Sequence, residues 1–148
     1  MKRLPRLALP LLGAVLLAAC GTSPEEHFAM AQQAFGKSDY QTAKGELGQA
    51  LKVNPRNREM LRLLLQTQLL VGDGEGVQGA VDRLRSIGEK GPDLLRAEAE
   101  GLLLRGRGAD AVTLLGQDNS PDAWRIRAAE RLGAQDDDAA RATGVLEV

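Results

Sequence analysis

A spacing of 34 residues recurs along this chain and constrains its fold more than any other feature. Ala43, Val77 and Ala111 stand 34 residues apart, and an apolar residue follows each of them four positions later. Ahead of each lies a glycine-containing segment typical of a turn: 36–39, 72–74 and 106–108. Glycine can end one helix there, and aspartate or serine can cap the next. The period therefore predicts stacked helical hairpins, since a single hairpin cannot bury its own apolar face.

Prolines mark the junctions between these units. Pro55, Pro92 and Pro121 stand where a helix can stop or begin at its first turn. The predicted units are about 24–57, 58–91, 92–120 and 121–148. The fourth unit aligns on Ala140, after a predicted turn at 133–136. Four large apolar residues are expected to pack in the core: Leu61, Leu64, Leu84 and Trp124.

The helix-turn-helix unit resembles the tetratricopeptide repeat (TPR) family. The residues that carry the resemblance in unit one are Ala31, Tyr40, Ala43, Leu47, Ala50 and Pro55, and in unit three Leu95, Ala99, Leu102, Ala111 and Leu115. The resemblance implies an all-α domain over 27–148, a short right-handed α-solenoid of three full hairpins and a degenerate fourth. Unit four departs from the pattern at Gly144, where an apolar residue belongs.

The first nineteen residues differ from the rest of the chain. Lys2, Arg3 and Arg6 form a basic start, and an apolar stretch follows over 7–17. Eleven residues are too few to cross a hydrocarbon core of about 30 Å as a helix. The pattern is typical of a cleaved secretory signal peptide, predicted here over 1–19, and a short polar tether follows over 20–26.

The end of the apolar stretch, Leu17-Ala18-Ala19-Cys20, resembles the lipobox of bacterial lipoproteins. The resemblance implies a diacylglycerol on the Cys20 thiol, cleavage before Cys20 and acylation of the new amino terminus. As the only cysteine, Cys20 has no partner for an internal disulfide. Gly21 follows, where aspartate marks inner-membrane retention in enteric bacteria. The resemblance therefore favours the periplasmic face of the outer membrane over the inner membrane.

Composition argues against several classes of function. Without the three basic residues of the signal peptide, 16 basic residues stand against 20 acidic ones, a net charge of −4, and aromatic residues make up 3%. Neither value suits nucleic-acid binding. His27 is the only histidine, so the sequence predicts neither an enzyme nor a metal site, and no cofactor beyond the lipid. The string Gly74-x-Gly76-x-x-Gly79 lacks the preceding strand that dinucleotide binding requires.

The TPR resemblance also implies a groove lined by the first helix of each unit. The candidate groove residues are Phe28, Phe35, Arg62, Gln66, Leu69, Arg96, Glu100, Leu103 and Arg125. Arginines there can bind carboxylates of a partner protein, and apolar residues can bury its side chains. Alternatively, these arginines pair with the chain's own carboxylates at Glu59, Asp93, Glu100 and Asp122.

The sequence thus predicts a lipid-anchored periplasmic scaffold or assembly factor that binds a protein of an envelope machine for secretion, pili or exopolysaccharide export. The alternatives are an accessory ligand-binding protein and a decayed, truncated TPR lipoprotein without a dedicated partner.

Overall fold

The computed structural model describes the backbone of residues 22–142 and the side chains of residues 22–136. Within that part, all regular structure is helical. The helices are α1 Pro24–Gly36, α2 Tyr40–Val53, α3 Arg58–Leu70, α4 Gly74–Ser86, α5 Pro92–Leu104, α6 Gly108–Leu115 and α7 Pro121–Ala142. The predicted signal peptide over 1–19, Cys20, Gly21 and Gly144 lie outside the described residues.

Each helix packs against the next one along the chain, so α1–α2, α3–α4 and α5–α6 form three hairpins that stack in an α-solenoid-like repeat. The prediction of an all-helical fold is therefore confirmed for the described residues. The first helices (α1, α3, α5 and α7) also contact one another in succession, whereas the described second helices (α2, α4 and α6) do not. The stack consequently bends toward the side of the first helices.

The turn inside each hairpin repeats the same backbone conformation at 34-residue intervals. Ser38, Gly72 and Gly106 have φ angles of 60°, 73° and 70°, the left-handed region that ends a helix. The next residue caps the second helix in the first two hairpins, where Asp39 accepts a hydrogen bond from the Thr42 amide at 3.1 Å and Asp73 one from the Gly76 amide at 2.8 Å. These local signals fix the predicted turns.

The third hairpin has the shortest second helix. Arg107 stands at the capping position of α6 and provides no side-chain cap, and the helix ends after eight residues, at Leu115. Gly116 then adopts a φ of 51°. In contrast, α2 and α4 have 14 and 13 residues. The last described helix, α7, therefore packs against a shorter neighbour than the first helices before it.

The core consists of two clusters of buried side chains, and small residues are frequent in both. The first cluster joins the first two hairpins to α5 through Ala31, Leu47, Ala50, Leu51, Met60, Leu61, Leu65, Val77, Ala80, Val81, Leu84 and Leu94. The second joins α5, α6 and α7 through Ala99, Ala111, Leu115, Ala123 and Ile126. Leu64 is only partly buried and packs against the first cluster. Each hairpin thus completes the core of the one before it.

Helices α4 and α5 cross so closely that the contact requires glycine. A Cβ atom on Gly101 would lie 2.5 Å from Cγ1 of the buried Val77, and one on Gly74 would lie 2.8 Å from the Gly101 carbonyl oxygen. Such distances are far inside van der Waals contact. In contrast, Gly45, Gly48 and Gly79 have open space where a Cβ would stand.

Two predictions for the fourth unit are wrong. First, the turn predicted at 133–136 does not form, because α7 continues from Pro121 to Ala142. A single helical glycine costs only about 1 kcal/mol, and the helix-forming residues around Gly133 outweigh it. Second, Trp124 is 55% exposed, whereas Ala123 and Ile126 are fully buried. The short α6 offers a narrow apolar surface, and these two residues fill it.

Alanine substitutions should have opposite effects on stability at a glycine in the close crossing of α4 and α5 and at a glycine with open space around it. Gly101→Ala should lower the free energy of unfolding by about 1–3 kcal/mol, because the new methyl group overpacks the contact with Val77. Gly48→Ala, on the exposed face of α2, should raise it by about 1 kcal/mol through helix propensity. Urea unfolding followed by circular dichroism measures both values. A Gly101→Ala protein as stable as the parent would contradict the close crossing of α4 and α5.

Candidate functional site

Three open hollows line the first-helix side of the stack, and Leu69 of α3 borders all of them. The largest, about 490 Å³, lies between α1, α3 and α5 and is lined by Phe35, Gln66, Leu69, Leu70 and Glu100. The other two flank it, one beside Arg62 and one beside Arg96 and Arg125. We call the three together the first-helix groove.

The structure brings together seven of the nine residues that the sequence assigned to a groove. They are Phe35, Arg62, Gln66, Leu69, Arg96, Glu100 and Arg125. The other two lie elsewhere: Phe28 packs against the first core cluster, and Leu103 borders a separate hollow between the α5–α6 turn and α7. The groove also contains Leu70 and Glu89, which the sequence analysis did not single out.

The apolar part of the groove lies at its α1–α3 end. Phe35 is held there by Tyr40 in an edge-to-face arrangement, with the ring centroids 5.5 Å apart. Leu70 is 54% exposed beside it. Fixed aromatic rings and exposed leucines are the groups that bury an apolar side chain of a partner with little loss of conformational freedom. This end of the groove can therefore bind an apolar side chain.

The first groove arginine, Arg62, binds a loop of its own chain. Its Nε donates a hydrogen bond to Oε1 of Glu89 at 2.8 Å, and Nε of Arg58 lies 3.3 Å from Oε2 of the same carboxylate. Glu89 follows Gly88, whose φ of 86° turns the chain after α4 back toward α3. A signal for Glu89 was present in the sequence, since glycines stand on either side of this acidic residue, at 88 and 91.

The last groove arginine, Arg125 of α7, binds Glu100 of α5 with both guanidinium nitrogens. Nη1 and Nη2 donate to the two carboxylate oxygens at 3.1 and 2.9 Å. These hydrogen bonds raise the pKa of Arg125. The guanidinium side chain nevertheless remains 56% exposed. An exposed pair of this kind contributes about 0–1 kcal/mol to stability, so it can exchange partners at small cost.

The middle arginine, Arg96, has the most enclosed pair. Its Nη1 donates to Oδ2 of Asp118 at 3.0 Å, and its Nη2 binds Asp93. Asp118 also accepts a hydrogen bond from the Ser120 amide at 2.8 Å, and these two donors lower the pKa of its carboxyl, the Ser120 amide most. Arg96 thereby fixes the loop between α6 and α7 that positions α7 beside the groove.

Each groove arginine is thus already engaged by a carboxylate of the chain. The pairing expected from sequence holds for Asp93 and Glu100, whereas Glu59 and Asp122 form none of these ion pairs. A partner carboxylate would have to share or displace an internal one. The groove therefore presents paired charges beside a hollow with apolar residues, rather than a row of free cations, and Arg125–Glu100 is the pair that can exchange most readily.

His27 and Gly74, which the sequence analysis also considered, lie outside the first-helix groove. Nδ1 of His27 lies 2.6 Å from Oε2 of Glu46, which links α1 to α2. Gly74 begins α4 after a helix and a turn, without a strand before it. In the described part of the chain, no group of three histidine, cysteine, aspartate or glutamate residues could hold a metal ion. No helix of that part is long and apolar enough to cross a membrane.

Comparison of the chain with protein-family models, with curated proteins and with solved structures finds no match. The sequence patterns and the geometry of the first-helix groove are therefore the observations from which a function can be inferred.

From the Asp118 contacts we expect the stability of the folded chain to fall at low pH. Because the pKa of this carboxyl is lower in the folded chain, its contribution is present at neutral pH and is lost as the pH falls below about 4. Asp118→Asn should lower the melting temperature at pH 7 and flatten its decline between pH 5 and 2. The slope should not vanish, since the pKa values of Asp39, Asp73 and Glu98 are lowered too.

Thermal unfolding at a series of pH values measures this effect. Asn119→Ala changes the neighbouring exposed residue of the same loop and should keep the parental slope. An Asp118→Asn protein with an unchanged slope would show that the Asp118 contacts do not hold the loop.

Proposed function

We propose that this chain is a lipid-anchored periplasmic TPR protein whose first-helix groove binds a segment of another protein. In this role it acts as a scaffold or assembly factor of an envelope machine for secretion, pili or exopolysaccharide export. The observation that carries the proposal is the set of three adjoining hollows around Leu69. The sequence Leu17-Ala18-Ala19-Cys20 supports the anchor.

The groove suits a partner segment with one apolar anchor and flanking charges. The anchor would pack against Phe35, Leu69 and Leu70 in the largest hollow, whose other two lining residues, Gln66 and Glu100, are polar. Charged groups beside it would exchange with the Arg125–Glu100 pair, and a carboxylate could share the exposed guanidinium of Arg62 with the largely buried Glu89. An amphipathic helix or an extended strand can present both kinds of group along one face.

Recognition, rather than catalysis, is the proposed activity of this groove. Its three arginines are each paired with a carboxylate, and the members of a pair neutralise and orient each other. They stand beside apolar side chains that suit binding. We therefore propose that the protein is not an enzyme and that the lipid on Cys20 is its only covalent group.

The groove can be tested with a photo-crosslinking amino acid placed in the living cell. At Gln66, which is exposed and borders two of the hollows, it should capture one specific protein in native membranes. At Gln49, an exposed glutamine of α2 outside the groove, it should not. Mass spectrometry identifies the captured protein. Equal capture at both positions, or none at Gln66, would refute groove binding and favour a chain without a dedicated partner.

The anchor can be tested separately. Cys20→Ala should abolish labelling with radioactive palmitate and move the protein out of the membrane fraction, because each buried CH₂ of an acyl chain contributes about 0.8 kcal/mol. Gly21→Asp keeps the cysteine and should shift the labelled protein from the outer-membrane to the inner-membrane fraction. A Cys20→Ala protein that still takes up label would disprove the lipidation site.

A further inference from the structure

The connections between successive hairpins lie along one edge of the stack, and their charge changes along that edge. Counted with two flanking residues on each side, the segment 52–59, which we call the first connection, has three basic residues and one acidic residue. The segment 85–93 has two of each, and 114–122 has two acidic residues and no basic one. The first connection is therefore a basic surface on a chain with a net negative charge.

The basic groups of the first connection are accessible to a partner. Lys52 and Arg56 are exposed, and neither pairs with a carboxylate among the side chains that the structure describes. Nζ of Lys52 donates to the neutral amide oxygen of Gln49 at 3.0 Å. Between the two cations, Val53 is 65% exposed and Pro55 is exposed as well. The surface thus combines cationic groups with an exposed apolar side chain.

Hydrogen bonds hold the first connection against the start of α1 and the end of α4. Nδ2 of Asn54 donates to Oε1 of Glu25 at 3.3 Å. Nη2 of Arg83 donates to the backbone carbonyl oxygen of Pro55 at 3.1 Å, which brings a further cation beside the connection. The basic groups therefore keep a fixed position relative to α1.

The proposed lipid anchor brings this surface close to the membrane. The start of α1 is fixed by reciprocal hydrogen bonds: Oγ of Ser23 accepts from the Glu26 amide at 3.1 Å, and the Glu26 carboxylate accepts from the Ser23 amide at 2.8 Å. The covalent chain from Cys20 to Ser23 is three residues long and spans at most about 11 Å. The first connection therefore cannot move far from the headgroups of the leaflet that holds the lipid.

Three carboxylates also stand near this edge, at Glu25, Glu26 and Glu59. Glu25 and Glu26 accept hydrogen bonds from Asn54 and from the Ser23 amide, which offset part of their charge. The attraction between the basic groups and a membrane does not have to recruit the protein, because the anchor already gives the two surfaces a high effective concentration. It has only to favour one orientation over the others.

From these observations we infer that the first connection, through Lys52 and Arg56, docks on anionic phospholipid headgroups of the leaflet that holds the Cys20 lipid. The inference rests on the anchor of the proposed function. Val53 would enter the interface between headgroups and acyl chains. Since each hairpin helix runs from one edge of the stack to the other, docking of this edge turns the first-helix groove along the membrane surface. There the groove can meet a segment of another membrane protein.

Fluorescence quenching on vesicles tests the docked edge. The acylated protein is reconstituted in vesicles of phosphatidylethanolamine and phosphatidylglycerol, in which nitroxide headgroups quench a fluorophore at the surface. Because Cys20 is acylated, the label reacts only with the cysteine introduced by Val53→Cys or Gln41→Cys. Position 53 should be quenched, whereas position 41, about 18 Å away at the other end of α2, should not. Equal quenching at both positions overturns the proposal.

Charge reversal separates docking from mere proximity to the anchor. In the labelled Val53→Cys protein, Arg56→Glu should lower the ratio of docked to undocked domains about fivefold or more, as loss of a basic residue at an anionic membrane does. Lys37→Glu makes the same change at an exposed lysine of the α1–α2 turn, on the opposite edge, and should leave the quenching unchanged. Phosphatidylcholine in place of phosphatidylglycerol should act like Arg56→Glu. Quenching at position 53 that neither change reduces would show that the tether alone holds the edge there, against the proposal.

An acidic partner protein is the alternative occupant of this surface. A photo-crosslinking amino acid at position 56 that captures one protein in native membranes, without quenching at position 53 on vesicles, would assign the surface to that protein and overturn headgroup docking.

Flotation of the vesicles separates these results from those for the proposed function. A parent protein that does not float with the vesicles refutes the anchor and this inference with it, whereas one that floats without quenching at position 53 refutes docking alone. Arg56 borders none of the three hollows, so failure of capture at Gln66 by a parent that docks refutes only the groove.

Discussion

The close crossing of helices over small buried residues is the interaction on which the rest of this structure depends. Ala31, Ala43 and Ala99 are fully buried, and the α4–α5 crossing needs the bare backbone of Gly101. Small side chains let helices approach, but each buries little apolar surface by itself. Stability must therefore accumulate from one hairpin to the next, and the second core cluster depends on α7 closing over α5 and α6.

The first-helix groove results from the way the hairpins stack and needs no additional structural element. Because the first helices touch one another and the second helices do not, the stack bends toward the first-helix side, and the hollows form around Leu69. The charged groups of the groove have two roles. Arg62 and Arg96 hold the connecting loops through Glu89 and Asp118, yet they also border the hollows. A partner that recruits these arginines would thereby act on the loops between hairpins.

The features that could be predicted from the sequence are those that depend on residues close together in the chain. The left-handed turn residues and their aspartate caps are local, so the hairpins followed from spacing alone. The nine groove residues came from the TPR resemblance, and seven of them lie around the hollows because the first helices stand side by side. The partners Glu89 and Asp118 were missed because they lie in loops, whose course depends on single left-handed glycines. Trp124 was misplaced because its burial depends on how much of α6 is present to cover it.

The shortened third hairpin explains why α7 differs from the other first helices. In a stacked array, every hairpin hides the apolar face of its predecessor, and the final helix needs a polar outer face or a cover. Helix α7 has neither among the described residues, since Trp124 and Leu132 face outward.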